Sequence, residues 1–181
     1  LGDRFSYTSL GMNGLNGYAS FFEYPSIDST RFNQTGAVLK PWKETGSYCL
    51  ILGQVPRDAS LKGKDMIPLY TAWAKDLARL YGKPVFFRPH PDLAKKGIRQ
   101  TVPSAEQSPH GSLTEALDGA FLCATFNSNS GVDSVLSGTP TVCFDRGAMA
   151  WDVCGHTLTE IAKPDRTSWA NRLAFTQWTV E

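Results

Sequence analysis

The chain has 181 residues, with 18 Lys and Arg against 17 Asp and Glu, and 41% of its residues are hydrophobic. A net charge of +1 excludes a whole-chain electrostatic footprint for nucleic acid or an anionic membrane, leaving room only for local basic patches. Apolar runs are too short to cross a bilayer as helices, and 12% aromatic content with five Trp excludes a disordered chain. One globular domain is expected, alone or with part of a neighbour.

The start, Leu1-Gly2-Asp3, carries no apolar signal-peptide stretch, and the end, Thr176 to Glu181, reads like the middle of a helix. Both ends are expected to have been cut. Residues 1–46 are rich in Gly, Asn, Ser and aromatics without a sustained period, as in an irregular connecting or capping segment. Gly11, Gly14 and Gly17 recur at three, but without the strand–turn–helix setting that a phosphate-cradling loop requires.

From residue 47 the pattern sharpens. Tyr48 to Leu52 is an apolar strand ending at Gly53, followed by a polar loop from Gln54 to Lys64. The spacing of Ile67, Tyr70, Trp73, Ala74, Leu77 and Leu80 predicts a helix over 66–81 with one buried face. Gly82 is placed to stop it. Pro84 to Arg88 is the next strand, ending in Pro89-His90-Pro91. Ser112 caps a predicted helix over 113–119 with Glu115 in its first turn. Ala120 to Phe126 is a strand, Asn127 to Gly131 a polar turn, and Val132 to Ser137 a helix closed by Gly138-Thr139-Pro140. Thr141 to Phe144 is another strand, and residues 165–181 read as a final helix with Trp169, Leu173, Ala174 and Trp178 near one face. Apolar strands separated by helices require crossover connections and hence a parallel sheet covered on both faces. The fold class is α/β, Rossmann-like, with the domain over 47–160 between the irregular segment and the last helix.

In such a sheet, ligands bind beyond the carboxyl ends of the strands. That rule selects Gly53-Gln54-Val55, Arg88 to Pro91, Asn127 to Gly131, and Asp145-Arg146-Gly147. Arg88 and His90 bring cationic or proton-donating groups. Asn127, Ser128, Asn129, Ser130 and Gly131 bring small side chains, hydroxyls and amides to a helix start, where phosphate is favoured. Each has a plainer reading, as a loop histidine or an N-cap run; their joint placement favours a phosphate crevice. Lys95, Lys96 and Arg99 form a solvated face by default, with acceptor or phosphate steering as the second reading. His110 and His156 are expected to be structural or exposed, and the Trp residues core anchors. Cys49, Cys123 and Cys143 lie in apolar runs, as buried thiols do. The C-x10-C-x-H spacing of Cys143, Cys154 and His156 matches no standard zinc pattern, so no metal is expected. Four scattered Cys without a secretion signal fit a reducing cytoplasm.

The ordered set RPHPD, a short helix, and FNSNSGVDSVLSGTPTVCFDRGAMAW resembles the C-terminal, donor-binding half of GT-B glycosyltransferases. It is most similar to bacterial capsule-type transferases with an H-P dipeptide and to phage-encoded relatives, over residues 47–160. The resemblance implies that His90 contacts the donor phosphate and helps stabilise the departing nucleotide. It implies that Ser128, Ser130 and the Gly131 amide hold the same phosphate, with Asn127 and Asn129 in the same turn. Arg88 would add charge neutralisation, Asp133 would bind ribose or fix the turn, and Gly53 and Gln54 would line the crevice floor. The expected chemistry is metal-independent and cofactor-free, with preorganised donors stabilising the leaving phosphate.

The expected function is transfer of a sugar from a nucleotide-activated donor to a glycan, a lipid-linked carbohydrate or modified phage DNA. A nucleotide-sugar 2-epimerase is the alternative enzyme, needing crevice carboxylates such as Asp92, Asp133 and Asp145. A non-catalytic nucleotide-sugar binding protein is the third reading, because no general base is evident and fold analogy does not fix function.

Overall fold

A computed structural model describes residues 7–9, 13–14, 16–19 and 28–179. Gly11, the Leu1-Gly2-Asp3 start, Val180 and Glu181 lie outside the described residues. In chain order the elements are β1 (Tyr7–Ser9), α1 (Thr30–Gln34), β2 (Tyr48–Leu52), α2 (Met66–Tyr81), β3 (Val85–Arg88) and α3 (Pro91–Lys95). There follow β4 (Glu106–Gln107), α4 (Leu113–Asp118), β5 (Ala120–Thr125), α5 (Ser130–Leu136), β6 (Thr141–Cys143), α6 (Thr167–Ala174) and β7 (Gln177–Thr179).

The main sheet has five parallel strands in the order β4-β3-β2-β5-β6. Its central strand explains the continuous apolar run in the sequence: all five residues of β2 are buried. Cys49 and Ile51 face α2 together with Val85, Phe87, Leu122 and Ala124. Leu50 and Leu52 face the other way, against Ala116 and Leu117 of α4. Burial on both faces is what a parallel sheet requires.

Helix α2 forms over the residues that the apolar spacing predicts. Asp65 caps its start by accepting from the Ile67 N–H at 3.1 Å, and Gly82 ends it in the left-handed conformation at φ 61°. Its buried stripe is Met66, Tyr70, Trp73, Ala74 and Leu77, whereas Leu80 is 41% exposed because it lies at the stripe's margin. Helix α4 begins with a complete capping box between Ser112 and Glu115.

Three expectations change. The Asn127–Gly131 turn is shorter than expected, because α5 starts at Ser130 rather than Val132. The predicted helix over 165–181 is confined to Thr167–Ala174, and β7 follows it, antiparallel to β1. Trp178 and Thr179, an aromatic and a β-branched residue, favour extended backbone over helix. The N-terminal segment is not wholly irregular, since it contributes β1 and α1. Residues 36–46 are fastened to the domain: the Lys40 N–H donates to the Leu136 carbonyl at 3.0 Å and the Lys43 N–H to the Gly138 carbonyl at 2.8 Å. Arg166, 5% exposed, lies with its guanidinium 3.7 Å from the Trp42 ring centre and donates to the carbonyls of Val135 and Lys40.

Gly82 and Gly138 separate two costs of adding a side chain. Both have positive φ, but a Cβ on Gly82 meets open space, whereas one on Gly138 would fall 2.0 Å from the Pro41 carbonyl oxygen. Gly82→Ala is expected to cost about 1 kcal/mol, the left-handed penalty alone. Gly138→Ala is expected to cost at least about 2 kcal/mol, because backbone must shift as well. Urea unfolding of the two variants checks this, and equal losses would contradict the docking of residues 36–46 on the α5 turn.

Candidate functional site

The chain leaves β2 through α2 toward β3 on one side of the sheet, and later resumes on the other side of β2 with β5. The carboxyl ends of β2 and β5 therefore flank a topological switch point. A crevice of about 180 Å³ opens there, with Gln54 from the end of β2, His90 after β3, and Asn127 to Ser130 after β5 on its walls. Asn16, Val55, Asp58 and Ser60 complete the lining. Thus Gln54, His90, Asn127, Ser128, Asn129 and Ser130, chosen from sequence, come together in space.

Gln54 and Asn127 form the floor, 7% and 3% exposed. The Gln54 carboxamide donates to Asn127 Oδ1 at 2.6 Å and accepts from the Asn127 N–H at 3.1 Å. The Asn127 side-chain amide donates to the Ser60 carbonyl at 2.9 Å and to Asp145 Oδ1 at 3.0 Å. Buried amides satisfied in this way fix one geometry. Asp58 caps the short turn over 59–61, accepting from the Ser60 N–H at 2.8 Å and the Ser60 hydroxyl at 2.6 Å. These bonds hold its carboxyl below the ordinary value.

His90 is the N-cap of α3, with Pro91 at the first helical position. Its Nδ1 accepts from the Asp92 N–H at 3.2 Å, so the proton of the neutral ring sits on Nε2. The ring is thereby left with one N–H donor, the group a phosphate oxygen requires.

On the opposite wall, Ser128 Oγ accepts from the Ser130 N–H at 3.2 Å. The Gly131 N–H is already used, donating to the Ser128 carbonyl at 2.9 Å. A Cβ on Gly131 would make only ordinary contact, with Thr125 Cγ2 at 3.4 Å. Gly53 differs, facing the Phe87 ring so closely that a Cβ would fall 2.7 Å from it. Arg88 does not line the crevice; its guanidinium donates to the carbonyls of His110 and Gly111 at 2.8 and 3.0 Å. Asp133 lies outside it too, on an apolar groove of about 480 Å³ with Phe32, Val132, Leu136 and Met149. Asn129 belongs to both the crevice and that groove.

The sequence reading missed Asp58 and Ser60, whose D-x-S spacing is a legible capping signal, and the contacts of Asp145. Asp145 accepts from Asn127, from the Gly147 N–H at 2.9 Å and from Lys62 at 3.2 Å. Tyr18 joins it from the N-terminal segment, its hydroxyl 3.2 Å from the Asp145 carboxylate and 2.6 Å from Lys62 Nζ. Desolvation alone would raise the Asp145 carboxyl, but the hydrogen bonds from Asn127 and Gly147 and the Lys62 ammonium outweigh it and leave the pKa lowered.

A carboxyl held low in the folded state stabilises fully above its unfolded value, 3.8, and that stabilisation is lost as pH falls through the folded value. Asp145→Asn is therefore expected to lower stability at pH 7 by roughly 1–3 kcal/mol and to make unfolding less steep below pH 3.8. Thermal melts across pH 2–7 read both effects, and an unchanged acid limb would exclude Asp145 as a titrating group in it.

No protein-family model matches the sequence, and no curated protein does. Solved structures share the fold, two Kdo transferases among them. On Thermosulfurimonas dismutans KpsC, beta Kdo 2,7 transferase, the TM-score is 0.56 at 18% identity, covering 90% of this chain and 58% of that one. On Thermosulfurimonas dismutans KpsC, beta Kdo 2,4 transferase, it is 0.57 at 14% identity, covering 84% and 58%. The chain thus spans well under two thirds of the length of these transferases, and at such identities the likeness speaks for architecture. The five-stranded parallel sheet with its flanking helices is thus an α/β, Rossmann-like fold that these two transferases share.

Proposed function

We propose that the chain binds the phosphate of a nucleotide-activated sugar in the switch-point crevice and takes part in transfer of that sugar to an acceptor. The observation that carries this reading is the meeting of His90 with Ser128, Asn129 and Ser130 across one crevice. The Nε2 proton of His90 and the serine hydroxyls are donors for phosphate oxygens. As negative charge builds on the departing nucleotide, preorganised donors stabilise it. The chemistry proposed uses no cofactor or metal.

The apolar groove that shares Asn129 with the crevice extends the same reading. Its apolar wall suits a nucleobase, and Asp133 at its edge suits ribose hydroxyls. Asp58 stays a scaffold residue, since a carboxylate held low by Ser60 is a weak base. The carboxylates that an epimerase would need favour transfer instead. Asp92 pairs with Lys95 at 3.2 Å, Asp133 faces the groove, and Asp145 is tied to Lys62 and Asn127.

The test is calorimetric titration of the full chain with UDP, CMP, CDP, GDP and ADP. One nucleotide is expected to bind, with affinity falling at least about tenfold in His90→Ala. His90→Asn, which keeps a helix-capping oxygen but loses the ring N–H, is expected to lose a similar factor. With the matching donor, turnover in either variant is expected to fall at least about tenfold. Absence of binding to every nucleotide would sink the transferase and epimerase readings together. Binding without transfer to any glycan acceptor would leave a nucleotide-sugar binding protein.

A further inference from the structure

Gly14 and Gly17 recur at three in the sequence, and close approaches of the backbone account for both. A Cβ on Gly14 would fall 2.4 Å from the Tyr18 carbonyl oxygen, and one on Gly17 would fall 2.4 Å from the Ala148 carbonyl oxygen. The second approach seats a short turn, Asn16–Tyr18, on the loop that follows β6. The Gly17 N–H donates to the Gly147 carbonyl at 2.9 Å, and the Arg146 guanidinium donates to the Gly17 carbonyl at 3.1 Å. The Tyr18 ring packs against Gly147, where a Cβ would fall 2.7 Å from it. Its hydroxyl donates to the Asp145 carboxylate at 3.2 Å and accepts from Lys62 Nζ at 2.6 Å. Moored in this way, the turn brings Asn16 onto the crevice wall.

We propose that Asn16 is a further ligand-contacting residue of the crevice, its carboxamide N–H donating to a phosphate oxygen, and that Tyr18 is the positioning residue that holds it there. The proposal rests on the donor reading of the crevice and adds to it a residue from outside the five-stranded sheet.

Three observations lead to Asn16. No Lys or Arg is among the residues on the crevice wall, and Asp58 brings a carboxylate to it. A phosphate there is met by neutral donors, so each additional N–H matters. The Asn16 carboxamide makes no hydrogen bond among the described residues, although Gly17 and Tyr18 beside it are both engaged. Finally, Tyr18 is joined through Asp145 to Asn127, so the turn is moored to the β5 side of the crevice, the side assigned to phosphate.

A plainer reason for an asparagine also exists. Position 16 has φ 52°, in the left-handed region that Asn tolerates better than most residues. Glycine meets that demand equally well, and this separates the two roles.

Calorimetric titration of the full chain with UDP, CMP, CDP, GDP and ADP identifies the nucleotide that binds, and the same nucleotide is then titrated into the variants. Asn16→Gly, which keeps the backbone and removes the donor, is expected to weaken binding about threefold to tenfold. Asn16→Asp, which also suits the left-handed backbone but sets a carboxylate against the phosphate, is expected to weaken it further, at least about tenfold. Tyr18→Phe is expected to weaken binding about threefold in the wild-type chain and not at all in the Asn16→Gly background, because it acts through Asn16. Wild-type affinity in Asn16→Gly would show that Asn16 serves the backbone alone and would overturn the contact. Tighter binding in Asn16→Asp than in Asn16→Gly would overturn its assignment to phosphate. No loss from Tyr18→Phe, or an equal loss in both backgrounds, would overturn the positioning role. Nucleotide binding that falls in His90→Asn but is unaltered in both Asn16 variants would remove this inference alone. Absence of binding of every nucleotide to the wild-type chain would remove the donor reading and the Asn16 contact with it.

Discussion

Gln54 and Asn127 stand at the ends of two strands that are neighbours in the sheet but 73 positions apart in the chain, and their carboxamides close on each other. The polar surroundings are arranged around that buried pair. Ser60 and Asp145 are held by the same Asn127 side chain, one from the loop after β2 and the other from the loop after β6. Through Asp145 the pair reaches Lys62 and Tyr18, so a segment from the beginning of the sequence is tied to the floor. Replacing either amide by an apolar residue would strand several buried partners at once, the costly case for polar networks.

The sheet that carries this pair was readable because burial on both faces writes itself as continuous apolar runs. Tyr48–Leu52 and Ala120–Thr125 have few alternatives, and α2 announces itself by its stripe and by the Asp65 and Gly82 caps. The short elements α3 and β4 have no such signature, and neither does the change from helix to strand after Ala174. There the aromatic spacing continues, but Trp178 and Thr179 are residue types suited to a strand.

The crevice was legible in its outline because strand ends can be located before any contact is known. His90 and residues 127–130 are found by that rule alone. Arg88 failed to join them for a reason written in the strand period: it follows Phe87, which faces α2, so its side chain emerges on the other face and holds the loop at His110. Gly53 sits where it does because the Phe87 ring approaches too closely for a Cβ, a fact of three dimensions. Asp145 was visible as a strand-end acid, but its bonds to Lys62 and Tyr18 join residues far apart in the chain, and a single sequence carries no trace of such pairings.

The ribbon of β1 and β7 has a different relation to the rest. It joins residues 7–9 to 177–179, nearly the longest separation the chain allows, and it has only two strands. Closing so long a loop is entropically expensive until the intervening chain is already compact, and a two-stranded ribbon has little stability of its own. The ribbon is therefore among the last structure gained in folding and among the first lost to local opening. Such an opening leaves the five-stranded sheet and the Gln54–Asn127 floor intact, so the periphery can exchange with solvent on a faster clock than the ligand-facing interior.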